Sequence, residues 1–536
     1  MQYFFFSVFF AKITMDDRGI WNMKNYLLVI MLGILFAVLT GTALAQDMEA
    51  NDSEVNITEA NDTEALQQAL EQDGFIVQEG DLAYFDLLRL LEKGVLPSAY
   101  GNNPTTKYLI YFVPPAPGYE VEERINQITS TLGVSGNTTP FWNLGPDEAV
   151  VFVGRTPPEC RYFSYDYMLM HRTIGNERRW IFANVVDTIN NLVIKTEGTP
   201  DGEPGNPFDQ NTVIIITADR GIDQRVRAAA ESSGYSDNII NTQVLPSAML
   251  NMGMENDSDT FASFVRPALF NDTQDEENYI NNTPATIFRI TPNNTTELDP
   301  YDYPELRVRG TGQTEFELMD DLEELRVAIL ERYNESNATE LPTSQAVPVG
   351  SDAIQRGVNG VGPTNDAAYL WTANQTISSP TPPFFDTSEY YPFIRDPAVT
   401  LGNDSDEFII VYGVNHAATG KATYSNFAVY GADVWNGVRA ITDEDFNGSA
   451  EEYLPDNPNA KYLYVYKLAR NCSEDDQYCY EVPYGQGVHG IELDQPLVIT
   501  WRAYLENTTR TGPAYSEIVY DRAIKFDTND SGNMSS

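Results

Sequence analysis

Residues 147–170 read DEAVVFVGRTPPECRYFSYDYMLM, which is an acidic pair, an apolar strand, a glycine, a polar loop and a tyrosine-rich strand. The same order returns in residues 406–431, where DEFIIVYG precedes a longer loop and the segment ATYSNFAVYG. Short runs rich in β-branched and aromatic residues, separated by turn residues, are typical of β-strands. The repeated order predicts two β-sandwich units, and its alternative is two unrelated hairpins in a β-rich chain.

Helical spacing of apolar residues occurs mainly in the first two thirds of the chain. Residues 82–93 and 314–333 predict helices, the second of which is the longest. The apolar positions of this long helix are Phe316, Met319, Leu322, Ile329, Leu330 and Tyr333. The predicted fold class is therefore α+β and mostly β, with two β-rich, sandwich-like domains. The first domain carries several added helices, including the long one at 314–333.

Composition divides the chain into segments with different expected roles. Residues 336–405 are rich in Pro, Gly, Ser and Thr and predict a linker or a set of long loops. The other segments are an extension at 1–22 that precedes the expected true start at Met23, a signal peptide at 23–45, a flexible acidic stalk at 46–64, a helix-containing β-rich domain at 65–335, a β-rich domain at 406–527 and a disordered tail at 528–536.

Residues 23–45, MKNYLLVIMLGILFAVLTGTALA, have the pattern of a secretory signal peptide. Lys24 precedes an apolar run, and Ala43-Leu44-Ala45 forms a small-residue cleavage site. We expect cleavage before Gln46, with an uncleaved anchor as the alternative. No later segment is apolar for long enough to span a bilayer, so no transmembrane span is expected in the mature chain. The predicted location is secreted, extracellular or in the cell envelope.

Charge and glycosylation motifs limit the partners of the protein. The chain has 78 acidic and 33 basic residues and a net charge of −45, which disfavours binding to nucleic acid. It also contains eighteen N-x-S/T sequons, which predict a glycoprotein if the host makes N-glycans. The alternative is that Asn, Ser and Thr are simply common loop residues. The expected partners are an anionic small molecule, a glycan or another cell-surface partner.

Three cysteines occur in the chain. Cys472 and Cys479 are seven residues apart, a spacing that a hairpin can bring within bonding distance. Outside the cell, these two residues are expected to form a disulfide. Cys160 then remains unpaired, either buried and inert or reactive.

A cluster of basic residues stands out in this acidic chain. It spans 25 residues, and its arginines are Arg155, Arg161, Arg172, Arg178 and Arg179. The planar guanidinium group matches carboxylates and phosphates, so the cluster predicts a site for an anion or a sugar acid. The alternative is that these arginines pair with acidic residues of the same chain.

Three further side chains are candidates for catalysis. His171 lies within the basic cluster, and His416 and Lys421 follow the apolar strand of the second repeat. A histidine can act as a general base, and a lysine can polarise a substrate oxygen. The alternative for His416 is a hydrogen-bonded loop residue.

Residues 443–448, DEDFNG, match the start of a calcium-binding loop. The expected ligands are Asp443, Asp445 and Asn447, but Leu454 stands where the bidentate glutamate belongs. The alternative is an acidic turn. No cofactor is required by any motif, and calcium is the one ion that the sequence suggests.

Taken together, these patterns favour a secreted or cell-surface protein with a binding or envelope-structural role. The alternative is a secreted enzyme that acts on an anionic or carbohydrate substrate through a basic, aromatic cleft. The two hypotheses predict different environments for His171, His416 and Lys421, which an enzyme would bring together in one cleft.

Overall fold

A computed structural model describes residues 62–134, 136–295, 297–346, 350–372 and 399–527. The predicted extension at 1–22, the signal peptide at 23–45 and the tail at 528–536 lie outside the described residues. Most of the predicted stalk, residues 46–61, also lies outside them. Residues 62–72 are already helical and are labelled α1.

Strands dominate the described residues, which confirms the predicted α+β, mostly β fold class. In the first part of the chain they are β1 (Phe75–Tyr84), β2 (Leu109–Phe112), β3 (Ala149–Arg155), β4 (Cys160–Tyr162), β5 (Ser164–Ile174), β6 (Glu177–Asn184), β7 (Ile189–Asn190), β8 (Asn211–Thr217), β9 (Ile240–Val244), β10 (Thr260–Val265), β11 (Ala268–Phe270) and β12 (Ala285–Pro292). In the second part they are β13 (Asn337–Leu341), β14 (Ser344–Gln345), β15 (Ala367–Trp371), β16 (Phe408–Val414), β17 (Tyr424–Gly431), β18 (Asn436–Thr442), β19 (Leu463–Ala469), β20 (Cys479–Glu481), β21 (Leu497–Tyr504) and β22 (Arg522–Asp527).

Helices connect these strands and cover their outer faces. After α1 they are α2 (Leu87–Glu92), α3 (Glu123–Leu132), α4 (Arg220–Ser232), α5 (Thr273–Asn281), α6 (Met319–Arg332) and α7 (Gly350–Arg356). Short 3-10 turns occur at Pro200–Gly202, Asp237–Ile239, Phe316–Leu318, Ala460–Tyr462 and Gly487–His489.

The first sandwich is one continuous sheet folded over on itself. Its strand order is β6-β5-β10-β2-β1-β12-β3-β8-β9, with β7 beside β5. Strand β1 forms the corner, because its first half pairs with β12 and its second half with β2. Gly80 lies at this corner, where a Cβ atom would be 2.3 Å from the carbonyl oxygen of Phe112. The two halves face each other across an aromatic core, in which the rings of Phe152 and Tyr165 lie 5.0 Å apart.

The second sandwich has two separate five-stranded sheets. Their strand orders are β13-β22-β16-β19-β20 and β14-β15-β21-β17-β18. Apolar residues of β16 and β19 pack against those of β17 and β21 in one core. The similar segments at 147–170 and 406–431 therefore occupy similar positions in the two sandwiches. Residues 147–170 connect β3 in one layer to β5 in the opposite layer, and residues 406–431 connect β16 to β17 in the same way.

The described residues from Ala65 onward belong to one compact unit, which includes both sandwiches. The predicted domain limits at 335 and 406 stay predictions. Within the predicted linker or long-loop region, 336–405, the described parts contain β13, β14, α7 and β15. Strands β13 and β15 pair with β22 and β21, so these parts contribute strands to both sheets of the second sandwich.

Two predicted helices differ from the observed ones. The helix expected at 82–93 begins at Leu87, because residues 82–84 continue strand β1 and Asp86 caps the helix by accepting from the Arg89 amide. The long helix α6 begins at Met319 after a 3-10 turn, and it covers the outer face of the sheet that contains β16. The buried residues of α6 are Leu322, Leu325 and Ile329, and Leu318 of the preceding turn is also buried, whereas Phe316 and Met319 are exposed.

Candidate ligand-binding site

The predicted arginine cluster is distributed among separate partners. Four of its members form ion pairs: Arg155 with Asp209, Arg161 with Asp443 and Glu444, Arg172 with Asp259, and Arg179 with Glu177. Arg178 instead donates a 2.6 Å hydrogen bond to the carbonyl of Ser258. These contacts match the alternative of pairing within the chain, and the anion-binding role of the cluster stays a prediction.

His171 is a neutral, half-buried side chain. Its ring packs edge-on against Trp180, with 4.8 Å between ring centroids. Burial and the nearby Arg178 guanidinium lower the pKa of His171 to about 3. The imidazole is therefore uncharged at neutral pH.

His416 lies between two buried carboxylates. Its Nδ1 is 2.9 Å from Glu315 Oε2, and its Nε2 is 3.4 Å from Asp521 Oδ2. Burial acts to lower the pKa of His416, but Glu315 and Asp521 raise it to about 10. The imidazolium is therefore charged at neutral pH. It connects the loop after β16, which contains His416, to Asp521 before β22 and to Glu315 before the 3-10 turn that leads into α6.

Lys421 has a similar environment. Its Nζ is 2.7 Å from Glu506 Oε1 and 2.6 Å from Glu517 Oε2, and it donates a further hydrogen bond to Thr311. Burial opposes its charge, but the bonds to both glutamates raise the pKa of Lys421. The charges of His416 and Lys421 are thus matched by acids of the chain, and their catalytic roles stay predictions.

The calcium-loop candidates make contacts within the protein. Asp443 accepts from Arg161 and from the Ser425 amide, and Asp445 accepts from the Thr442 amide at 2.9 Å. The Asn447 side chain donates to the carbonyl of Glu444. No group of three or more His, Cys, Asp or Glu residues in the described ranges is arranged to hold a metal ion. Calcium binding at this loop stays a prediction.

The predicted disulfide between Cys472 and Cys479 is confirmed. Their Cα atoms lie 5.9 Å apart, across a short connection that leads into β20. Cys160 is free and buried in β4, and burial raises the pKa of its thiol to about 12. This thiol therefore remains protonated at neutral pH and is not an activated nucleophile.

An aromatic cavity lies where strands of the two sandwiches meet. Its volume is about 50 Å³, which exceeds the roughly 10–15 Å³ that one water molecule needs. Its lining residues are Phe85, Leu87, Tyr100, Gly101, Asn102, Tyr108, Phe141, Met170, Trp180, Phe182, Phe264, Arg266, Val361, Gly362, Tyr369, Arg502 and Tyr504. The lining contains nine aromatic rings and two arginines but no acidic residue. None of the arginines, histidines or the lysine predicted from sequence contributes to it.

Arg502 is buried in the cavity wall, with 8% of its surface exposed. Strand β21 carries it, and its guanidinium lies 5.5 Å and 5.9 Å from the ring centroids of Tyr430 and Tyr369. It donates to the Thr500 hydroxyl at 3.2 Å and to the Gly101 carbonyl at 3.4 Å. No carboxylate of the described residues forms an ion pair with it. Its charge is therefore stabilised by aromatic faces and neutral acceptors alone.

Arg266, on the other side of the cavity, has an acidic partner. Its Nε lies 3.2 Å from Asp166 Oδ2, and its Nη1 donates to the carbonyl of Gly362 at 3.2 Å. Burial raises the pKa of Asp166 to about 6, and the guanidinium opposes this shift. At neutral pH the Asp166 carboxylate is mostly ionised and balances Arg266, so the charge of Arg502 is the net charge of the cavity wall.

Backbone strain occurs in the same wall. Tyr100, Phe182 and Val361 have φ angles of 51°, 40° and 58°, in a region that residues with a Cβ atom rarely adopt. For the β-branched Val361 this conformation is especially unfavourable. Strained backbone persists where surrounding contacts impose it, and it is concentrated at ligand sites and active sites.

These two arginines were not predicted from the sequence, because neither belongs to a local cluster of basic residues. Arg502 lies in LVITWRAY, within the buried strand β21, and Arg266 lies in ASFVRPALF, directly after the buried strand β10. A lone arginine in or beside an otherwise apolar strand is the signal that could have found them, because arginine is rarely buried without neighbours that stabilise its charge.

These features define a β-rich protein with a buried aromatic and cationic cavity. No protein-family model and no curated protein matches the sequence. Among solved structures, the VPA0106 protein from Vibrio parahaemolyticus has 10% identity and a TM-score of 0.34, with 88% of this chain and 100% of that chain covered. An uncharacterized protein from Burkholderia cenocepacia has 12% identity and a TM-score of 0.33, with 87% and 95% covered. Within the described residues, no helix has the length and apolar character needed to cross a membrane.

Proposed function

We propose that this protein is a secreted or cell-surface binding protein that holds a small ligand in the aromatic cavity. The observation that supports this function is the cavity wall, in which aromatic rings surround two buried arginines. Ligand sites are typically concave and apolar, with a few polar groups that orient the ligand. A binding role is favoured over catalysis because the charged groups of His416 and Lys421 already have acidic partners.

Ligand binding can be tested by blocking the cavity. Leu87 is half-buried and lines the cavity at the start of α2, so L87W should reduce the space for a ligand. The neighbouring Leu88 is also half-buried but does not line the cavity, which makes L88W a matched control. A ligand at 100 times its Kd stabilises the folded state by about 2.7 kcal/mol, which raises the melting temperature.

The experiment has two parts. Native mass spectrometry of protein purified from its source would detect a co-purified small molecule. A thermal-shift screen of small organic acids, amides, amines and alcohols would then identify compounds that stabilise the wild type and L88W but not L87W. The proposal fails if no molecule co-purifies and no compound gives a shift that L87W abolishes.

Exposure of the sequon asparagines supports glycosylation and export. The twelve described sequon asparagines are all exposed: Asn137, Asn256, Asn271, Asn281, Asn293, Asn294, Asn334, Asn337, Asn403, Asn447, Asn471 and Asn507. By contrast, only six of the 22 other asparagines in the described ranges are exposed. Common loop composition alone does not explain this difference, because it concerns asparagines with and without the motif in the same chain. The disulfide is also compatible with an oxidising compartment.

We expect protein purified from its source to begin at Gln46 and to carry N-glycans. Peptide mass mapping of the wild type should show added glycan mass on sequon peptides. N256Q should lose the glycan at that site, whereas N251Q, which changes an exposed asparagine without a sequon, should keep the wild-type pattern. Unmodified sequon peptides would contradict glycosylation, and peptides from upstream of Gln46 would contradict cleavage.

A further inference from the structure

We infer that a second pocket, lined by Arg307 and Arg309, binds a small organic carboxylate. The pocket lies between the end of β6, the loop before β15 and segment 306–309, and its volume is about 200 Å³. Among the described residues, Tyr369 alone lines both this pocket and the aromatic cavity. The inference therefore goes beyond the proposed function, which concerns the aromatic cavity.

The pocket has the size of a site for a small organic molecule. A cavity of about 150 Å³ holds one benzene ring, so about 200 Å³ accommodates an apolar body of that size together with a carboxylate group. Half-buried residues, among them Ser351 and Asn365, line the pocket and place it at the protein surface. The apolar part of its wall is formed by Val185, Val186, Leu306, Pro363, Tyr369 and Tyr515. This combination of an apolar wall and a few polar groups is typical of small-molecule sites.

Segment 306–309 supplies both arginines of the pocket. Arg307 and Arg309 are half-buried and line it, whereas Val308 between them is 79% exposed. The exposed valine and the two inward arginines give this segment the opposite of the usual order of apolar and charged side chains. The arrangement brings two guanidinium groups to one small pocket.

Arg307 has hydrogen-bond donors without acceptors. Its Nη2 donates to the carbonyl of Thr188 at 2.9 Å, but its Nε, which is buried, and its Nη1 make no hydrogen bond within the described residues. The carboxylates of Asp187 and Asp366 lie 3.7 Å and 3.8 Å away, beyond hydrogen-bond distance. Both acids already accept from other side chains, Asp187 from Asn365 and Asp366 from Thr188. The guanidinium of Arg307 can therefore bond a further acceptor.

Arg309 supplies a positive charge that no acid matches. Among the described residues it forms no ion pair, and its guanidinium donates to the Asn365 side chain at 2.8 Å and to backbone carbonyls. The ring of Tyr515 lies 5.4 Å from it. These partners are all neutral, so one carboxylate would balance the charge. A doubly charged phosphate would instead add negative charge beside Asp187, which also lines the pocket.

A carboxylate meets both requirements at once. It carries one negative charge, and it accepts short, charge-assisted hydrogen bonds from guanidinium groups. Its apolar body would lie against the aliphatic wall of Val185, Val186 and Leu306. A branched aliphatic acid such as 3-methylbutanoate combines these features in a molecule that the pocket can hold.

The neutral analogue 3-methylbutanamide separates the contribution of charge from that of shape. By isothermal titration calorimetry, protein purified from its source should bind 3-methylbutanoate at least about 10-fold more tightly than the amide. Acetate and inorganic phosphate should bind more weakly than 3-methylbutanoate, because they lack the apolar body.

Filling the pocket should abolish binding. S351Y places a large side chain at the pocket wall, whereas Q355Y, at an exposed position of the same helix outside the pocket, is the control and should bind as the wild type does. L87W, which alters the aromatic cavity, should also leave the affinity for 3-methylbutanoate unchanged.

A lysine variant tests the role of Arg307 without removing its charge. R307K keeps a cation beside Asp187 and Asp366 but loses the planar group with several N–H donors, so its affinity for 3-methylbutanoate should fall at least about 10-fold. R326K is the control, because Arg326 pairs with Glu323 and Glu340 on the surface and does not line the pocket. If R307K does not fold, S351Y and Q355Y still decide the location of the site.

The contrary outcomes each overturn a defined part of the inference. Equal affinity for the acid and the amide would overturn the carboxylate, and acetate or phosphate binding as tightly as 3-methylbutanoate would overturn the apolar body. Unchanged binding by S351Y or by R307K would overturn the site. Loss of binding in L87W but not in S351Y would place the acid in the aromatic cavity, which would overturn this inference and support the proposed function. Absence of binding by all four probes would overturn the inference, and the thermal-shift screen with L87W would then decide the proposed function separately.

Discussion

Replacing His416 with glutamine should lower the free energy of unfolding by about 3–5 kcal/mol at neutral pH, because two buried carboxylates lose their cationic partner. The side chains of His416, Glu315 and Asp521 are 4%, 2% and 3% exposed, so solvent cannot replace the lost charge. The expected loss is large compared with the 5–15 kcal/mol that typically stabilises a folded domain.

The surrounding contacts explain why these carboxylates cannot simply move apart. Glu315 also accepts from the Thr419 hydroxyl at 2.6 Å and from the Val519 amide at 3.0 Å. Asp521 accepts from the Tyr464 hydroxyl at 2.8 Å. The hydrogen bonds of His416, Glu315 and Asp521 therefore connect three segments: the start of the 3-10 turn before α6, the loop after β16 and the loop before β22.

The effect should depend on pH in a defined direction. The pKa of His416 is about 10 in the folded protein and about 6.5 in an unfolded chain. A raised pKa contributes stability that is fully present below pH 6.5 and is lost as pH rises through 10. The difference in stability between the wild type and H416Q should therefore decrease from pH 6.5 to pH 10.

Urea denaturation at several pH values would measure this difference. H489Q is the matched control, because His489 is exposed and its replacement should change stability by no more than about 0.5 kcal/mol. If H416Q unfolds under all conditions, the loss of stability from pH 6.5 to pH 10 can be measured in the wild type and in H489Q, which both keep His416 and should lose stability to the same extent. A constant difference between H416Q and the wild type over this pH range would contradict the prediction.

Replacing Arg289 with methionine should also cost about 3–5 kcal/mol, because it leaves the carboxylate of Glu148 buried without its partner. Arg289 Nη2 lies 2.5 Å from Glu148 Oε2, and the two side chains are 1% and 4% exposed. Glu148 belongs to the acidic pair that begins the first repeat, and it also accepts from the Gly145 amide and the Thr291 hydroxyl. The pair thus connects β12 to the turn before β3.

A double-mutant cycle would isolate this interaction. R289M and E148Q should each be strongly destabilised, and the double variant should lose less stability than the sum of the two. R179M is the control, because Arg179 pairs with Glu177, whose side chain is 70% exposed, and such surface pairs contribute about 0–1 kcal/mol. Additive losses in the cycle, or an R179M loss as large as that of R289M, would contradict the prediction.

Several features were predictable from sequence because they depend on residues close together in the chain. The apolar runs at the start of each repeat form β3 and β16, and the seven-residue spacing of Cys472 and Cys479 predicted their disulfide. The long helix was also predicted, but its buried face was not, because burial depends on the sheet against which the helix packs.

The candidate site was not predictable in this way. Arg161 lies near other arginines in sequence but pairs with Asp443, 282 residues away. Likewise, the His416 network depends on Glu315 and Asp521, which are 101 and 105 residues distant. Clusters of charge in the sequence therefore did not indicate which charges lack partners in the fold.

The sequence by itself determined the β-rich class, the positions of many strands and the disulfide, because backbone periodicity and short loops act over a few residues. Only the tertiary structure decided which charges are neutralised and where a cavity forms. Tyr100, Phe264, Val361 and Arg502 line one cavity although more than 400 residues separate the first from the last. Their proximity results from the packing of the two sandwiches, which depends on contacts between distant parts of the chain.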